Sequence, residues 1–146
     1  MKIPEMILTE DLFETVRYNQ KGIPLYIQTA ELADYPDMSA SCHWHDDIEW
    51  VSVLSGKMCF YVNGTRFLLQ PVDSLMVNFR QMHHLHSFQQ QNCLFSCVLF
   101  HPALFCGNPL LQKRYIVPVL ENPSLEYLYF PAGQKEGYTF CETVKK

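Results

Sequence analysis

The stretch His43-Trp44-His45-Asp46-Asp47-Ile48-Glu49, followed by an apolar run that ends at Gly56, decides how this chain folds. On an extended strand, residues two apart point to the same face. His43 and His45 therefore look one way and Trp44 the other. Glu49 shares the parity of the two histidines, and a bulge or turn at Asp46-Asp47 keeps it near them. Two imidazoles and a carboxylate converging inside a barrel form a donor set for one divalent transition metal: Fe(II), Mn(II), Ni(II) or Zn(II). The alternative is that these side chains hydrogen-bond to one another and hold water or a small polar ligand.

Outward from this segment the texture is strand and turn. Residues 48–54 are rich in β-branched and aromatic side chains, and Ser55-Gly56 ends the run. Residues 58–62 and 65–69 flank Asn63-Gly64, a pair that tolerates positive φ and marks a two-residue hairpin. Pro71-Val72-Asp73 is a turn, 74–77 a strand, and Asn78-Phe79-Arg80-Gln81 a polar corner. Further strands are expected at 83–89 and 94–100. Short strands at this spacing predict an antiparallel barrel or sandwich. On the strand at 83–89, His84 and His86 fall on the outward face by parity. Met58, Phe60 and Val62 form one set and Cys59 and Tyr61 the other, and the pattern leaves open which set lines the interior.

The ends read differently. Residues 1–20 are a loose lead-in with a short helical turn over 10–17. A strand follows at 25–30 and a turn at Pro36-Asp37. After a helical turn at 101–105, Asn108-Pro109 is an N-cap with proline in first position, and predicts a helix that stops at Pro118. A last strand is expected over 125–130 and a weakly amphipathic helix over 133–146, with Tyr138, Cys141 and Val144 on one side. The domain expectation is an arm at 1–20, a barrel domain at 21–130, and a tail or linker helix at 131–146.

The chain has 146 residues, 48% hydrophobic and 18% charged, which is one globular domain. Its net charge of −4 offers no basic stripe for a phosphate backbone, so direct nucleic-acid contact is not expected. No apolar run reaches the roughly 18 residues of a membrane span, and no signal peptide is visible. The six cysteines therefore read as reduced thiols in a cytoplasm. Gly-x-Ser-x-Gly is absent and the 6 glycines are scattered, which removes hydrolase elbows and phosphate loops.

With these residues in place, the sequence resembles the cupin superfamily. His43, His45, Glu49 and Gly56 match the first cupin motif, although Asp37 stands where a glycine usually precedes it. Aligning the second motif on His83 puts Val72, Asn78, Arg80 and Ser87 at its other positions, so only the histidine matches. The resemblance thus implies a jelly-roll barrel, mainly β, with one or two C-terminal helices, and His43, His45, Glu49 and His83 as the metal set. The run His43-Trp44-His45-Asp46, the Asn63-Gly64 hairpin and 77–83 further resemble the amino-terminal sensor domain of AraC-type transcriptional regulators. Phe100-His101-Pro102, Tyr115, Pro118 and Asn122-Pro123 are similar to a bacterial subgroup of these sensors.

That resemblance implies effector sensing and dimerisation, with a small molecule (a sugar among the candidates) entering near His43, His45, Glu49 and His83. Trp44 is a candidate to stack on a flat ligand face, as is Trp50 unless both pack in the core. Arg80 is a candidate to pair with an acidic ligand, against a solvated turn residue. The chain is expected to lack its own DNA-binding domain. The alternative function is a free-standing metal-dependent cupin enzyme, a dioxygenase or isomerase. A third is a homodimerisation module with no ligand.

Overall fold

A computed structural model describes Ile3 and residues 5–133. Its nine strands are β1 (Leu25–Glu31), β2 (Ser39–His43), β3 (Ile48–Gly56), β4 (Met58–Val62), β5 (Thr65–Leu69), β6 (Ser74–Val77), β7 (His83–Ser87), β8 (Cys93–Phe100) and β9 (Tyr127–Phe130). They form two antiparallel sheets, ordered β1-β8-β3-β6-β9 and β2-β7-β4-β5. The mainly β jelly-roll expectation holds.

The core lies between the sheets. Val51, Val53, Met58, Phe60, Val62, Leu69, Leu75 and Val77 are fully buried there. Met58, Phe60 and Val62 are therefore the inward set. Their alternation with Cys59 and Tyr61 is the period of two that a half-buried strand imposes. The outward positions hold His84 and His86, whose rings lie 4.4 and 5.5 Å from that of Tyr61. Asn63 and Gly64 turn β4 into β5 with φ of 48° and 85°, as expected of that pair. Gly56 has φ +77°, and a Cβ there would lie 2.5 Å from the Asn92 carbonyl oxygen. No other residue fits.

Several expectations are corrected. Residues 10–17 make no helix. Glu14 N–H donates to Trp44 O (2.8 Å) and Trp44 N–H to Leu12 O (3.0 Å), so the motif takes the backbone groups a helical turn would use. Leu12 has φ +69°, which also breaks a helix. Strand β2 has little signal in the sequence, since Ser39-Ala40-Ser41-Cys42 has only small side chains and no β-branched or aromatic residue. The β7 strand ends at Ser87 because Gln89 and Gln90 turn the chain with positive φ.

The helix capped by Asn108 runs past Pro118 to Leu120. It does so through a π turn at Gln112–Ile116. Helical bonding restarts at Val117, so Pro118 sits in a first turn where its missing N–H breaks nothing. Asn78, a buried corner residue, holds the return chain by donating to Val119 O and Leu125 O, both at 2.9 Å. Among the described residues no helix is long and apolar enough to cross a membrane. The helix expected over 133–146 lies outside the described residues but for Gly133.

Candidate functional site

Three strands deliver the polar side chains to one end of the interior. His43 closes β2, His45 follows before the bend at 46–47, Glu49 is the second residue of β3 and His83 opens β7. A register shift between Ala40 and His43 in the β2–β7 pairing inserts one residue. It lets both Ala40, of even parity, and His43, of odd parity, line the interior. The ligand atoms of His43, His45, Glu49 and His83 lie within 4.8 Å of one another, and all four residues are buried.

The hydrogen bonds fix how these rings are used. His43 Nδ1 meets Ser41 O at 2.6 Å, His45 Nδ1 meets Asp47 O at 3.1 Å, and His83 Nδ1 meets Gln81 O at 2.8 Å. A carbonyl only accepts, so each Nδ1 carries the proton. In a neutral ring that leaves Nε2 as a bare lone pair. Yet His45 Nε2 and His83 Nε2 each lie 3.0 Å from Glu49 Oε2. Lone pairs facing a carboxylate need a positive charge: a proton on the ring or a cation between. Backbone carbonyls that orient imidazoles with Nε2 converging are the support a metal-binding histidine receives. The donor set therefore fits a divalent transition ion, with His43, His45, Glu49 and His83 as holders.

The electrostatics agree with that polarity. Burial alone would raise the Glu49 carboxyl. The charge of His83 and hydrogen bonds from His45 and His83 outweigh it and hold Glu49 well below the usual range. Burial lowers His43 to about 4, helped by the charge of His83, so that ring is neutral at physiological pH. Burial also opposes charge on His45, but the bond to Glu49 prevails and raises it. Cys97 donates its thiol to Glu49 Oε1 at 3.5 Å, and burial beside that carboxylate pushes it well up.

A cavity of about 190 Å³ opens beside this cluster. Its walls include His43, Glu49, Cys97, Tyr26 and Tyr35, and the apolar Leu85, Phe95 and Leu99. Burial pushes Tyr26 up to about 12 and Tyr35 higher, so both stay neutral phenols. The remaining side comes from the lead-in: Ile3, residues 5–7 and residues 14–17, including Glu14, Val16 and Arg17.

Of the residues singled out in the sequence, His43 and Glu49 line the cavity, His45 and His83 lie behind them in the cluster, and Trp44, Trp50 and Arg80 lie apart from the wall. Trp44 points away, as parity requires. Its ring packs on Phe13 at 4.8 Å and its Nε1–H donates to Asp11 O at 2.8 Å. Arg80 is exposed, and its Nε donates to Asp46 Oδ1 at 2.7 Å. A left-handed backbone (φ +62°) and an N–H committed to His45 O hold it at the corner. Trp50 stacks on Phe130, 5.3 Å between ring centroids, outside the interior. Conversely, Glu14, Tyr26, Tyr35 and Cys97 line the cavity without having carried any local signal. Only the alternation of β1 and β8 could have placed Tyr26 and Cys97, and Tyr35 sits in the turn after β1.

Comparison with known proteins agrees with this architecture. The family described as AraC-like ligand binding domain matches residues 26–127. An uncharacterized HTH-type transcriptional regulator of Bacillus subtilis strain 168, YdeC, is 22% identical over 140 residues. That match covers 96% of this chain and 48% of the regulator, so the chain spans about half the length of this curated relative. A cupin 2 conserved barrel domain protein from Salinispora arenicola is similar in structure, with a TM-score of 0.50 and 15% identity over 63% of this chain and 76% of that one. A cupin protein from Bacteroides fragilis gives 0.46 and 20%, over 53% and 66%.

Proposed function

The chain belongs to the AraC-like ligand binding domain family, and on that premise we propose that it is the effector-sensing and dimerisation domain of an AraC-type regulator working in the cytoplasm. The small molecule binds in the cavity beside His43, Glu49 and Tyr26. The observation that carries this reading is the make-up of that cavity. One side is rigid barrel wall and the other is the lead-in segment. A ligand there touches both, and so has a different affinity for the docked and released segment. That difference is the requirement for a ligand to shift a conformational equilibrium.

The test is hydrogen exchange of residues 5–20 with and without a bound compound, found by thermal-shift screening that begins with pentoses and hexoses. Changed exchange is expected. Unchanged exchange under saturating compound would remove the arm from the mechanism. A homodimer is supported by the apolar side chains on the helix after Asn108, where Leu110 is 72% and Tyr115 56% exposed. Sedimentation as a monomer at every concentration would overturn that part. Direct contact with nucleic acid is no part of this reading.

The three histidines and Glu49 favour a second reading, a metal-dependent enzyme of dioxygenase or isomerase type. A bound ion would supply Lewis-acid or redox chemistry, while His43, His45, Glu49 and His83 hold it. Elemental analysis after non-chelating purification decides: less than about a tenth of an equivalent of transition metal removes the enzyme.

A further inference from the structure

Glu14 belongs to no motif. Its backbone N–H donates to Trp44 O, and Phe13, the residue before it, pairs in parallel with Trp44. Trp44 is the middle residue of the His-x-His run. Its neighbours turn into the barrel, while its own ring and Nε1 grip Phe13 and Asp11 from outside. A second tie, Tyr18 O–H to Asp47 Oδ1 at 3.2 Å, holds the segment further along. The result is a carboxylate at the cluster: Glu14 Oε2 lies 3.3 Å from His43 Nε2, with the Glu14 side chain 16% exposed.

That contact has the same defect as the two at Glu49. His43 commits its proton to Ser41 O, so its Nε2 offers a lone pair to a carboxylate oxygen. A proton on Glu14, which its burial favours, or a cation between the two removes the conflict. Three histidines and one glutamate fill four positions, whereas Fe(II), Mn(II) and Ni(II) accept further oxygen donors. Two carboxylates around a divalent ion also leave no net charge buried, which lowers the desolvation penalty. We infer that Glu14 is a fifth donor of the metal site, borne on the lead-in segment, so that an ion held by His43, His45, Glu49 and His83 also fastens residues 14–17 over the cavity. This rests on the metal reading of the cluster and goes beyond it. Because Trp44 and Tyr18 pre-position the segment, the Glu14 carboxylate acts at high effective concentration.

The experiment titrates the whole chain with Zn(II) and Co(II), comparing wild type, Glu14→Gln and Glu10→Gln. Glu10 is exposed on the same segment and serves as control. Loss of Glu14 is expected to weaken Zn(II) binding by about 10-fold or more, at least what an outer partner of a ligand costs. It should also alter the Co(II) visible spectrum and abolish the metal-dependent protection of amides 14–17. Acetate added to Glu14→Gly should restore the Co(II) spectrum. Equal affinity and an identical Co(II) spectrum in Glu14→Gln overturn the inference. If that variant does not fold, wild-type exchange decides, and no added protection of 14–17 by Zn(II) overturns it. Wild type that binds neither ion overturns it too, and leaves effector sensing standing, since that is judged with small molecules.

Discussion

The two ends of the barrel interior are built from the same strands and have opposite chemistry. Strand β3 enters as Glu49 and continues as Val51 and Val53. Strand β7 enters as His83 and continues as Leu85. Toward the Gly56 end the inward side chains Val51, Val53, Met58 and Phe60 are apolar and fully buried, while Leu85 borders the cavity. Toward the His83 end they are ionisable, and a cavity separates them from a cover made of loose chain rather than sheet. The packed end holds the fold together. The polar end gathers charges that burial alone disfavours, which is the usual mark of a working site rather than a structural one.

Substitutions at the two ends should separate along this line. The largest effect is expected at Phe60, fully buried and stacked 5.9 Å from the His83 ring. Phe60→Ala should lose about 3–5 kcal/mol in urea unfolding. Glu49→Gln should do the reverse. It should weaken Zn(II) binding about 100-fold, equivalent to about 2.8 kcal/mol, while shifting the urea midpoint less than Phe60→Ala does. A result in which Glu49→Gln unfolds the barrel and leaves metal affinity intact would erase the distinction between the ends.

Gly56→Ala should destabilise by about 2 kcal/mol, from left-handed strain and the approach to Asn92 O. It should leave metal affinity per folded molecule unchanged. The smallest effect sharpens the contrast within a single strand. His84→Ala and His86→Ala, on the outer face of β7, should each change stability by less than about 0.5 kcal/mol. Neither should alter metal binding, whereas His83→Ala should abolish it.

Much of this was legible in the sequence because a strand's period of two is a local rule. It put His43 and His45 together and Trp44 opposite. It also placed His84 and His86 outside and bounded β4, β5 and β6 correctly. What stayed hidden depends on contacts between distant segments. Nothing near Glu14 indicates that its backbone pairs with Trp44, 30 residues on. Strand β2 is made by its partner β7 rather than by its own residues. Pro118 reads as a helix stop, and is one in an α-helix; the π turn before it changes the bonding that proline would interrupt. Arg80 and Trp44 carry the right chemistry for a ligand, but the local backbone turns both outward.

The alternation at 43–45 also constrains how the gene can change length. Removing one codon there would exchange roles, turning a histidine of the buried cluster outward and the indole that grips the lead-in segment inward. Both the His-Glu cluster and the anchor of the lead-in segment would fail at one stroke. Insertions and deletions should therefore be tolerated in the turn at 89–91 and eliminated between 43 and 49, a pattern that a library of single-codon deletions scored for folded protein would expose.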